Sequence, residues 1–204
     1  MVRTADLNLG SISTLIAGYT NPTGVLYEAS ANALYFSEDS TKTLLRYSFL
    51  DASVTTIGSG LSGVGGMGYD PALKLLFMAS DAGDIIRFNL SDPDPNATKT
   101  TIITGLGTNP LSAAVNTSAQ RVCWAALSGG GTLPCADYNG GSQSALVTGI
   151  SAGLVGIEFD ANNEFVYWTD YSVGKIQRAK ADGSQLTDLV TGYGALGGIT
   201  LVYQ

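Results

Sequence analysis

The chain has 204 residues, of which 45% are hydrophobic and 13% charged, with a formal net charge of −7 and an isoelectric point near 4.3. Nucleic acid and anionic membranes repel a net anion, and no apolar stretch is as long as a membrane span, so we expect neither a nucleic acid partner nor membrane insertion. The chain contains no histidine, the commonest general base and metal ligand, which disfavours zinc hydrolases and imidazole-dependent triads.

Four kinds of short strand pattern recur in order along the chain, with a period of 41–46 residues. The chain begins with patterns of the third and fourth kind, MVRTAD (1–6) and STLIAG (13–18). The first kind recurs as GVLYE (24–28), GMGYD (66–70), SAAVN (112–116), GIEFD (156–160) and GITLV (198–202). The second kind recurs as ALYFSE (33–38), LLFMAS (75–80), RVCWAA (121–126) and FVYWTD (165–170).

A repeat of this length with four short strands is typical of a β-propeller, in which each repeat forms one blade. We therefore predict an all-β fold, a β-propeller with five blades of four antiparallel strands, in one domain over 1–204. The predicted blades span 24–62, 63–107, 108–152, 153–195, and 196–204 together with 1–23. The N- and C-termini share the last blade, because closing the ring in this way covers apolar blade faces and sheet edges.

The shared blade has patterns for a first, a third and a fourth strand, but none for a second strand. Three explanations stay open at this point. The chain is a fragment of a larger one, the shared blade is irregular, or another molecule supplies the strand by adding to the sheet edge.

The segment VYWTDYSVGKIQRAKADGSQL (166–186) is the most elaborate copy of the repeat. On a strand in the middle of a blade, alternate side chains face the two neighbouring blades. Aromatic residues can fill those gaps, and an arginine can pair across the hairpin. We predict a blade-packing motif formed by Tyr167, Trp168, Thr169, Asp170 and Arg178, with weaker copies at Tyr35, Phe36, Glu38, Arg46, Arg87 and Arg3.

These residues resemble the YWTD repeat, also called the low-density-lipoprotein-receptor class B repeat. The resemblance is close over 167–170, 176–178 and 182–184, and elsewhere it is mostly one of spacing. It implies a β-propeller and a motif that packs blades together and takes no part in catalysis. YWTD propellers generally have six blades, so five blades are a departure from the family pattern.

Cys123 and Cys135 lie on the second and third strands of one predicted blade, where the next blade has Tyr167 and Arg178. Those positions face each other across a hairpin, so a disulfide is geometrically plausible, the alternative being two buried free thiols. Asn96 and Asn116 begin Asn-X-Ser/Thr sequons and are predicted glycosylation sites. Together these features favour an extracellular or cell-surface location.

Polar residues recur at two loop positions of the repeat. At the ends of the first strands they begin turns or, as an alternative, form a ring that binds calcium; we favour turns and expect no cofactor. These residues are Glu28, Asp70, Asn116 and Asp160. After the second strands we predict a partner-binding rim suited to a Lys- or Arg-bearing peptide, formed by Asp39, Asp81, Asp84 and Tyr171.

The leading functional prediction is a non-catalytic extracellular β-propeller that binds or scaffolds other proteins, or that self-assembles within a larger surface or filamentous structure. The alternative is a carbohydrate-directed propeller, either a five-bladed glycoside hydrolase or a lectin; a metal-dependent lactonase is a further enzyme class. Catalysis would fall to Glu28 and Glu158, which occupy different positions within their strands. We therefore predict that the chain is not an enzyme. The loops also differ from blade to blade, which disfavours five equivalent sugar sites.

Overall fold

The structure, a computed structural model, describes residues 1–5 and 11–201. These residues form four four-stranded antiparallel sheets, arranged as blades of a β-propeller, and one two-stranded sheet. The two-stranded sheet consists of β1 (Val2–Ala5) and β2 (Ile12–Ile16). Blade 1 consists of β3 (Pro22–Glu28), β4 (Ala33–Glu38), β5 (Thr43–Ser48) and β6 (Val54–Gly58).

The other three blades repeat the same order of strands. Blade 2 consists of β7 (Met67–Asp70), β8 (Leu75–Ser80), β9 (Asp84–Asn89) and β10 (Thr100–Ile103). Blade 3 consists of β11 (Pro110–Asn116), β12 (Arg121–Ala126), β13 (Thr132–Asp137) and β14 (Ser144–Thr148). Blade 4 consists of β15 (Leu154–Asp160), β16 (Phe165–Asp170), β17 (Lys175–Lys180) and β18 (Thr187–Val190).

The propeller architecture confirms the fold predicted from the repeat, and the four second strands begin and end at the predicted residues. The prediction of five four-stranded blades is wrong for the described residues, which complete four. The pattern GITLV (198–202) forms no strand up to Leu201, and its last residue lies outside the described part of the chain. A strand requires a hydrogen-bonded neighbour, and within the described residues no second strand lies beside this segment to pair with it.

The two-stranded sheet has the register of a third and a fourth strand. Arg3 is opposite Thr14. In blade 1 the third-strand Arg46 is opposite Thr55, and in blade 4 Arg178 is opposite Thr187. The β1–β2 hairpin thus has the register that the outer two strands have in blades 1 and 4, and we call it the partial blade.

Alternate residues of each second strand pack against opposite neighbours, which follows from the two-residue period of a strand. Tyr35 packs with Met67 and Met78 of blade 2, so its position faces the following blade. The next position faces the preceding blade, because Trp124 packs with Phe77 of blade 2. At each interface between complete blades, the first of these positions in one blade therefore meets the second in the following blade. The two residues lie in one cluster of buried side chains at each interface: Tyr35 with Met78, Phe77 with Trp124, and Cys123 with Trp168.

The third position of the motif carries a hydroxyl that links blades. In blade 4, Gly156 N–H donates to Thr169 Oγ1 at 2.8 Å, and Thr169 donates to the Gly197 carbonyl at 2.6 Å. In blade 1, Ser37 does the same between Gly24 N–H (2.8 Å) and the Gly65 carbonyl of blade 2 (3.0 Å). Gly197 therefore lies where the first strand of a following blade would begin.

Blade 2 has Ala79 at this third position, which has no hydroxyl, and here the two backbones are hydrogen-bonded to each other. Gly66 N–H donates to the Leu111 carbonyl of blade 3 at 2.7 Å. A Cβ on Gly66 would lie 2.5 Å from Ser112 Oγ, so the close approach of the two backbones requires glycine there. The structure thus assigns a physical role to the Thr of the YWTD pattern.

The described residues contain one helical turn, α1 (Pro95–Thr98), between β9 and β10. The Asp94 side chain accepts the Ala97 N–H at 3.1 Å and caps the turn. Across the described ranges, no helix has the length and apolar character needed to span a membrane.

Candidate partner-binding face

In each blade, the start of the first strand pairs with the end of the second strand. The loops that precede the first strands and the loops that follow the second strands therefore lie at the same end of the propeller. We call this end the upper face. The residue directly after the second strand differs among blades. It is Asp39 in blade 1, Asp81 in blade 2, Leu127 in blade 3 and Tyr171 in blade 4. The upper face is therefore acidic on one side and apolar on the other.

The acidic side carries three predicted rim residues, all in contact with cationic or hydroxyl groups. Lys42 forms a close ion pair with Asp39 and lies 3.9 Å from Asp81. The hydrogen bond that Lys42 donates to Asp39, and then the charge of Asp81, raise the pKa of Lys42 despite its desolvation. Asp84 accepts a hydrogen bond from Ser62. Lys42 thus offsets part of the negative charge that the prediction of a basic partner relies on.

The apolar side contains a cleft of about 470 Å³ between blades 3 and 4. Tyr171 and Leu127 line the cleft and are 53% and 39% exposed. The residues that line the cleft are Leu111, Leu127, Val155, Tyr171, Ala195, Leu196 and Gly197. None of them is charged, so Tyr171 belongs to an apolar site, and the structure does not combine it with the three aspartates into one rim.

Buried carboxylates at the ends of the second strands hold the upper loops. Glu38 is 1% exposed and accepts hydrogen bonds from Ser40, Asn21 N–H (3.1 Å) and Thr20 (3.3 Å). Burial alone raises the pKa of Glu38, but these hydrogen bonds together lower it below its usual value. Asp170, fully buried, accepts the Ser172 and Val173 N–H groups at 3.0 and 3.2 Å and orders the loop that presents Tyr171.

Three other motif residues of blade 4, Tyr167, Trp168 and Arg178, do not line the cleft. Trp168 is fully buried and donates from Nε1 to Gln177 Oε1 at 3.1 Å; Gln177 in turn donates to Asp188 at 2.6 Å. Tyr167 is half-buried opposite Arg178. The Arg178 guanidinium stacks 4.3 Å from the Phe165 ring centroid, a cation–π contact.

The arginines predicted at equivalent positions make different contacts. Arg87 donates to the Tyr138 carbonyl (2.9 Å) and to Asn139 (2.7 Å), both of blade 3, and so links two blades. Arg46 is opposite Tyr35 in its own blade. Arg3, on the exposed face of β1, contacts Met1 Sδ at 3.2 Å.

Blade 3 has a disulfide in place of the arginine, which confirms the predicted bridge. Cys123 and Cys135 are bonded, are directly opposite in β12 and β13, and are each 1% exposed. The bridge lies in the cluster that contains Trp168 of blade 4. It therefore occupies the space that an aromatic side chain fills in the other blades.

At the lower end of the propeller, the polar residues that end the first strands begin turns. Asp70 accepts the Ala72 N–H at 2.9 Å, Asn116 accepts the Ala119 N–H at 3.1 Å, and Asp160 accepts the Asn162 N–H at 3.0 Å. No group of three or more acidic, Cys or His side chains within the described ranges converges on a common point. The turn interpretation accounts for the recurrence of these residues.

Two carboxylates that end first strands, Glu28 and Asp70, each accept a hydrogen bond from a tyrosine of the next blade. Glu28 accepts Tyr69 OH of blade 2 at 2.8 Å and also Tyr35 OH of its own blade at 3.0 Å, and Asp70 accepts Tyr138 OH of blade 3 at 2.9 Å. Burial, followed by the nearby Glu28 charge and hydrogen bond, raises the pKa of Tyr35 to about 12. Burial and their carboxylate partners likewise raise the pKa values of Tyr69 and Tyr138.

The two predicted glycosylation sites differ in exposure. Asn96 is half-buried in α1, and its Oδ1 accepts the Ser59 N–H at 2.9 Å. Asn116 is 6% exposed. Glycan attachment requires an accessible side-chain amide, so the structure favours Asn96 over Asn116, and both sites stay predictions.

Sequence reasoning missed the apolar cleft and the tyrosine–carboxylate bonds. The signal for the cleft was the blade-by-blade change from Asp39 and Asp81 to Leu127 and Tyr171. The bonds were harder to predict, because Tyr138 lies outside the strand pattern and its partner Asp70 is 68 residues away.

Solved structures of similar fold include proteins that are longer than this chain. One is a chain in the crystal structure of a nidogen/laminin complex (TM-score 0.78, 16% identity, covering 89% of this chain and 68% of that one). Another is an auxiliary nutrient binding protein from Bacteroides thetaiotaomicron VPI-5482 (TM-score 0.71, 15% identity, 88% and 44%). A third, from the same bacterium, is a protein of unknown function (TM-score 0.73, 13% identity, 96% and 57%).

The chain thus spans about half the length of the two bacterial proteins. No family model matches it. At these identities the likeness shows the β-propeller fold and is consistent with a YWTD-like repeat.

Proposed function

We propose that this chain is a non-catalytic, extracellular β-propeller that binds another protein through its upper face. The observation that carries the proposal is the uncharged cleft between blades 3 and 4, where Leu127 and Tyr171 remain exposed. Exposed aromatic and aliphatic residues around a concave site are typical of the centre of protein interfaces. The acidic residues of blades 1 and 2 on the same face would contact a polar or basic flank of the partner.

The proposal includes the absence of catalysis, which we infer from the side chains that could transfer protons. With no histidine, proton transfer would fall to carboxylates. Glu28 and Asp70 are engaged by tyrosine hydroxyls, and Asp160 by turn amides. The proposal likewise includes no cofactor, and calcium plays no part in it.

The buried disulfide supports the extracellular location, because disulfides persist in oxidising compartments. A chain of similar fold forms part of a nidogen/laminin complex, which supports a role in protein assembly. The same proposal includes a structural role, in which the chain scaffolds or self-assembles within a larger surface or filamentous structure.

The test is site-specific photo-crosslinking in the extracellular fraction of the source. A photoreactive residue at position 171 is expected to capture one protein, whereas the same residue at Leu50, 90% exposed in the β5–β6 turn, is expected not to capture it. The purified partner should then bind the parent chain and lose at least about tenfold in affinity to Leu127→Asp, because a charge would enter an apolar contact.

Leu50→Asp is the matched control, since it adds the same charge on an exposed leucine at the lower end. Equal binding by Leu127→Asp and Leu50→Asp would contradict the proposed site. Turnover of glycosides or lactones by the purified chain, lost in Glu28→Gln, would contradict the absence of catalysis.

A further inference from the structure

A small polar pocket lies at the lower end of the propeller, between blades 3 and 4. Its volume is about 260 Å³. Blade 3 contributes Asn116, Ser118 and Ala119, at the end of β11 and in the turn that follows it. Blade 4 contributes Ala181, which directly follows β17, together with charged residues near it. The pocket is smaller than the cavities that hold cofactors or drug-sized ligands, so it suits a single ring.

The interface between blades 2 and 3 shows what fills the equivalent space. The equivalent third strands β13 and β17 are each six residues long, and the next residue is Tyr138 in blade 3 and Ala181 in blade 4. Tyr138 is 6% exposed, packs on Phe77 at 4.6 Å between ring centroids, and donates from its hydroxyl to Asp70 at 2.9 Å. Asp70 ends the first strand of blade 2, as Asn116 ends that of blade 3. The tyrosine thus closes at one interface the space that is open at the next.

Two alanines leave this space open between blades 3 and 4. Ala181 takes the place of Tyr138. Ala119 takes the place of Leu73, since each lies three residues after the end of its first strand. Between blades 1 and 2, the residue equivalent to Tyr138 is Leu90, which packs against the buried cluster of that interface. A large side chain therefore fills this position at both other interfaces between complete blades.

The backbones of blades 3 and 4 approach each other as closely as those of blades 2 and 3. A Cβ on Gly183, in the β17–β18 turn, would clash with the Leu146 carbonyl oxygen of blade 3. A Cβ on Gly140, at the equivalent position of the β13–β14 turn, would clash with the Ile102 carbonyl oxygen of blade 2. The pocket therefore results from the two small side chains and not from a wider spacing of the blades.

Asn116 lines the pocket with a hydrogen-bond donor that has no partner. It is 6% exposed, and its Oδ1 accepts the Ser118 hydroxyl at 2.8 Å and the Ala119 N–H at 3.1 Å. A backbone N–H only donates, so this contact identifies the amide oxygen and leaves Nδ2 as the other atom. Within the described residues, Nδ2 donates no hydrogen bond. A nearly buried donor of this kind favours a ligand that brings an acceptor oxygen.

We propose that this pocket binds a 4-hydroxyphenyl group, with its ring between Ala119 and Ala181 and its hydroxyl oxygen accepting from Asn116 Nδ2. The ring takes the place that the Tyr138 ring holds one interface earlier. The hydrogen bond has the opposite polarity, because the amide donates where the Asp70 carboxylate accepts.

The other polar groups of the pocket limit what the ring can carry. Ser118 Oγ donates its own hydrogen to Asn116 and keeps lone pairs for the hydroxyl hydrogen of the ligand. The charged lining residues are one cation and two carboxylates, Lys180, Glu164 and Asp182. A tyrosine side chain of a polypeptide and a free phenol are both uncharged and share the required chemistry. A phosphorylated ring would meet the two carboxylates and should not bind.

This inference does not depend on the proposed function, because the pocket is at the lower end and the cleft is on the upper face. Their failures can be told apart. Leu127→Asp should leave binding of a phenol unchanged, and Ala181→Tyr should leave binding of the upper-face partner unchanged.

The test follows the side-chain amide resonances of Asn116 by NMR while 4-methylphenol is added to the 204-residue chain, produced without glycans. We expect saturable shifts of these resonances, with one site per chain. Toluene lacks the hydroxyl and should bind at least about threefold more weakly, because one hydrogen bond is lost. N-acetyl-tyrosinamide separates the two sources of the ring: tighter binding than 4-methylphenol indicates a tyrosine of a polypeptide, and weaker binding indicates a free phenol.

Ala181→Tyr supplies the ring from the chain itself, as Tyr138 does in blade 3. It should raise the melting temperature and weaken binding of 4-methylphenol by at least about tenfold. Leu50→Tyr adds the same residue to an exposed turn and should bind as the parent does. Ala119→Leu introduces the residue that blade 2 has and narrows the pocket from the other side, so it keeps the test decisive if Ala181→Tyr does not fold.

Three results would overturn the proposal. The first is the absence of a shift in the Asn116 resonances up to the solubility limit of 4-methylphenol, or binding that Ala181→Tyr and Ala119→Leu leave unchanged. The second is equal binding of toluene and 4-methylphenol, which would show that the amide takes no part. The third is a glycan on Asn116 in protein purified from its source, which would show by mass spectrometry that a covalent sugar occupies the pocket.

Discussion

The three interfaces between complete blades and the interface between blade 1 and the partial blade use the same residue positions but differ in what covers them. At the complete interfaces, the second-strand residue of one blade meets the next blade in a cluster of buried side chains. On the wall of blade 1 that faces the partial blade, Val25 and Tyr27 are more than half exposed. The difference shows that burial in this repeat is set by the neighbouring strand, because comparable apolar side chains at equivalent positions are buried or exposed according to whether that strand is present.

The largest expected effect comes from two adjacent residues that face opposite ways. Trp168→Ala should lower the free energy of unfolding by roughly 3–5 kcal/mol, because it empties a fully buried site between blades 3 and 4. Tyr167 faces away from blade 3 and is half-buried, so Tyr167→Ala should cost less than half as much. Chemical denaturation of both variants tests the contrast, and equal losses would show that Tyr167 is packed as tightly as Trp168.

A second pair compares equivalent first-strand positions. Ile157→Ala at the interface of blades 3 and 4 should cost about 2–4 kcal/mol in unfolding free energy. Val25→Ala, on the wall of blade 1 that faces the partial blade, removes less area from an exposed site and should cost under about 0.5 kcal/mol. Chemical denaturation measures both free energies, provided that the dependence on denaturant is the same for each variant. A Val25→Ala cost above that of Ile157→Ala would mean that Val25 is covered in solution.

The disulfide lets the interface of blades 3 and 4 be weakened without a large change in volume. Cys123→Ala with Cys135→Ala should lower unfolding free energy by about 2–4 kcal/mol, since the bridge restricts the unfolded chain over a separation of 12 residues. Thermal unfolding of the double variant, beside the parent with and without reductant, measures the loss. A melting temperature unchanged from that of the oxidised parent would contradict this role.

The smallest effect concerns Glu158, which is opposite Tyr167 on the face of blade 4 that is turned away from blade 3. Burial raises the pKa of Glu158, so the folded state binds its proton more tightly than the unfolded state does. Stability from this group is present below the usual glutamate pKa of about 4.3 and is lost as the pH rises through the raised folded pKa.

Glu158→Gln should therefore stabilise the chain more at pH 7 than at pH 4, relative to the parent at each pH. Glu164→Gln, at an exposed glutamate in the turn before β16, is the matched control variant. A Glu158→Gln difference that is the same at both pH values would show that the carboxylate is fully solvated.

The repeat predicted the strands of the complete blades well because each strand has a local pattern. The second strands carry apolar residues on both faces, bounded by turn residues, and their limits agree with the structure. The Cys123–Cys135 bridge was predictable because the repeat aligns these cysteines with Tyr167 and Arg178, two positions that face each other across a hairpin.

Features that depend on residues of different blades were not predictable from the sequence. The segment 198–201 has a strand pattern but forms no strand, because a pattern does not supply the partner that a ladder needs. Glu28 was interpreted as a turn residue, yet its carboxylate binds Tyr69 of the next blade as well as Tyr35. The cleft was missed because Leu111, Leu127 and Leu196 are close only in the folded propeller.

Hydrogen exchange tests the central claim, that burial and protection in each blade are set by the strand that lies beside it. Amides of β1 (Val2–Ala5) should exchange faster than those of β5 (Thr43–Ser48), because both are third strands and, among the described residues, only β5 pairs on both edges. Equal protection of β1 and β5 would contradict the account.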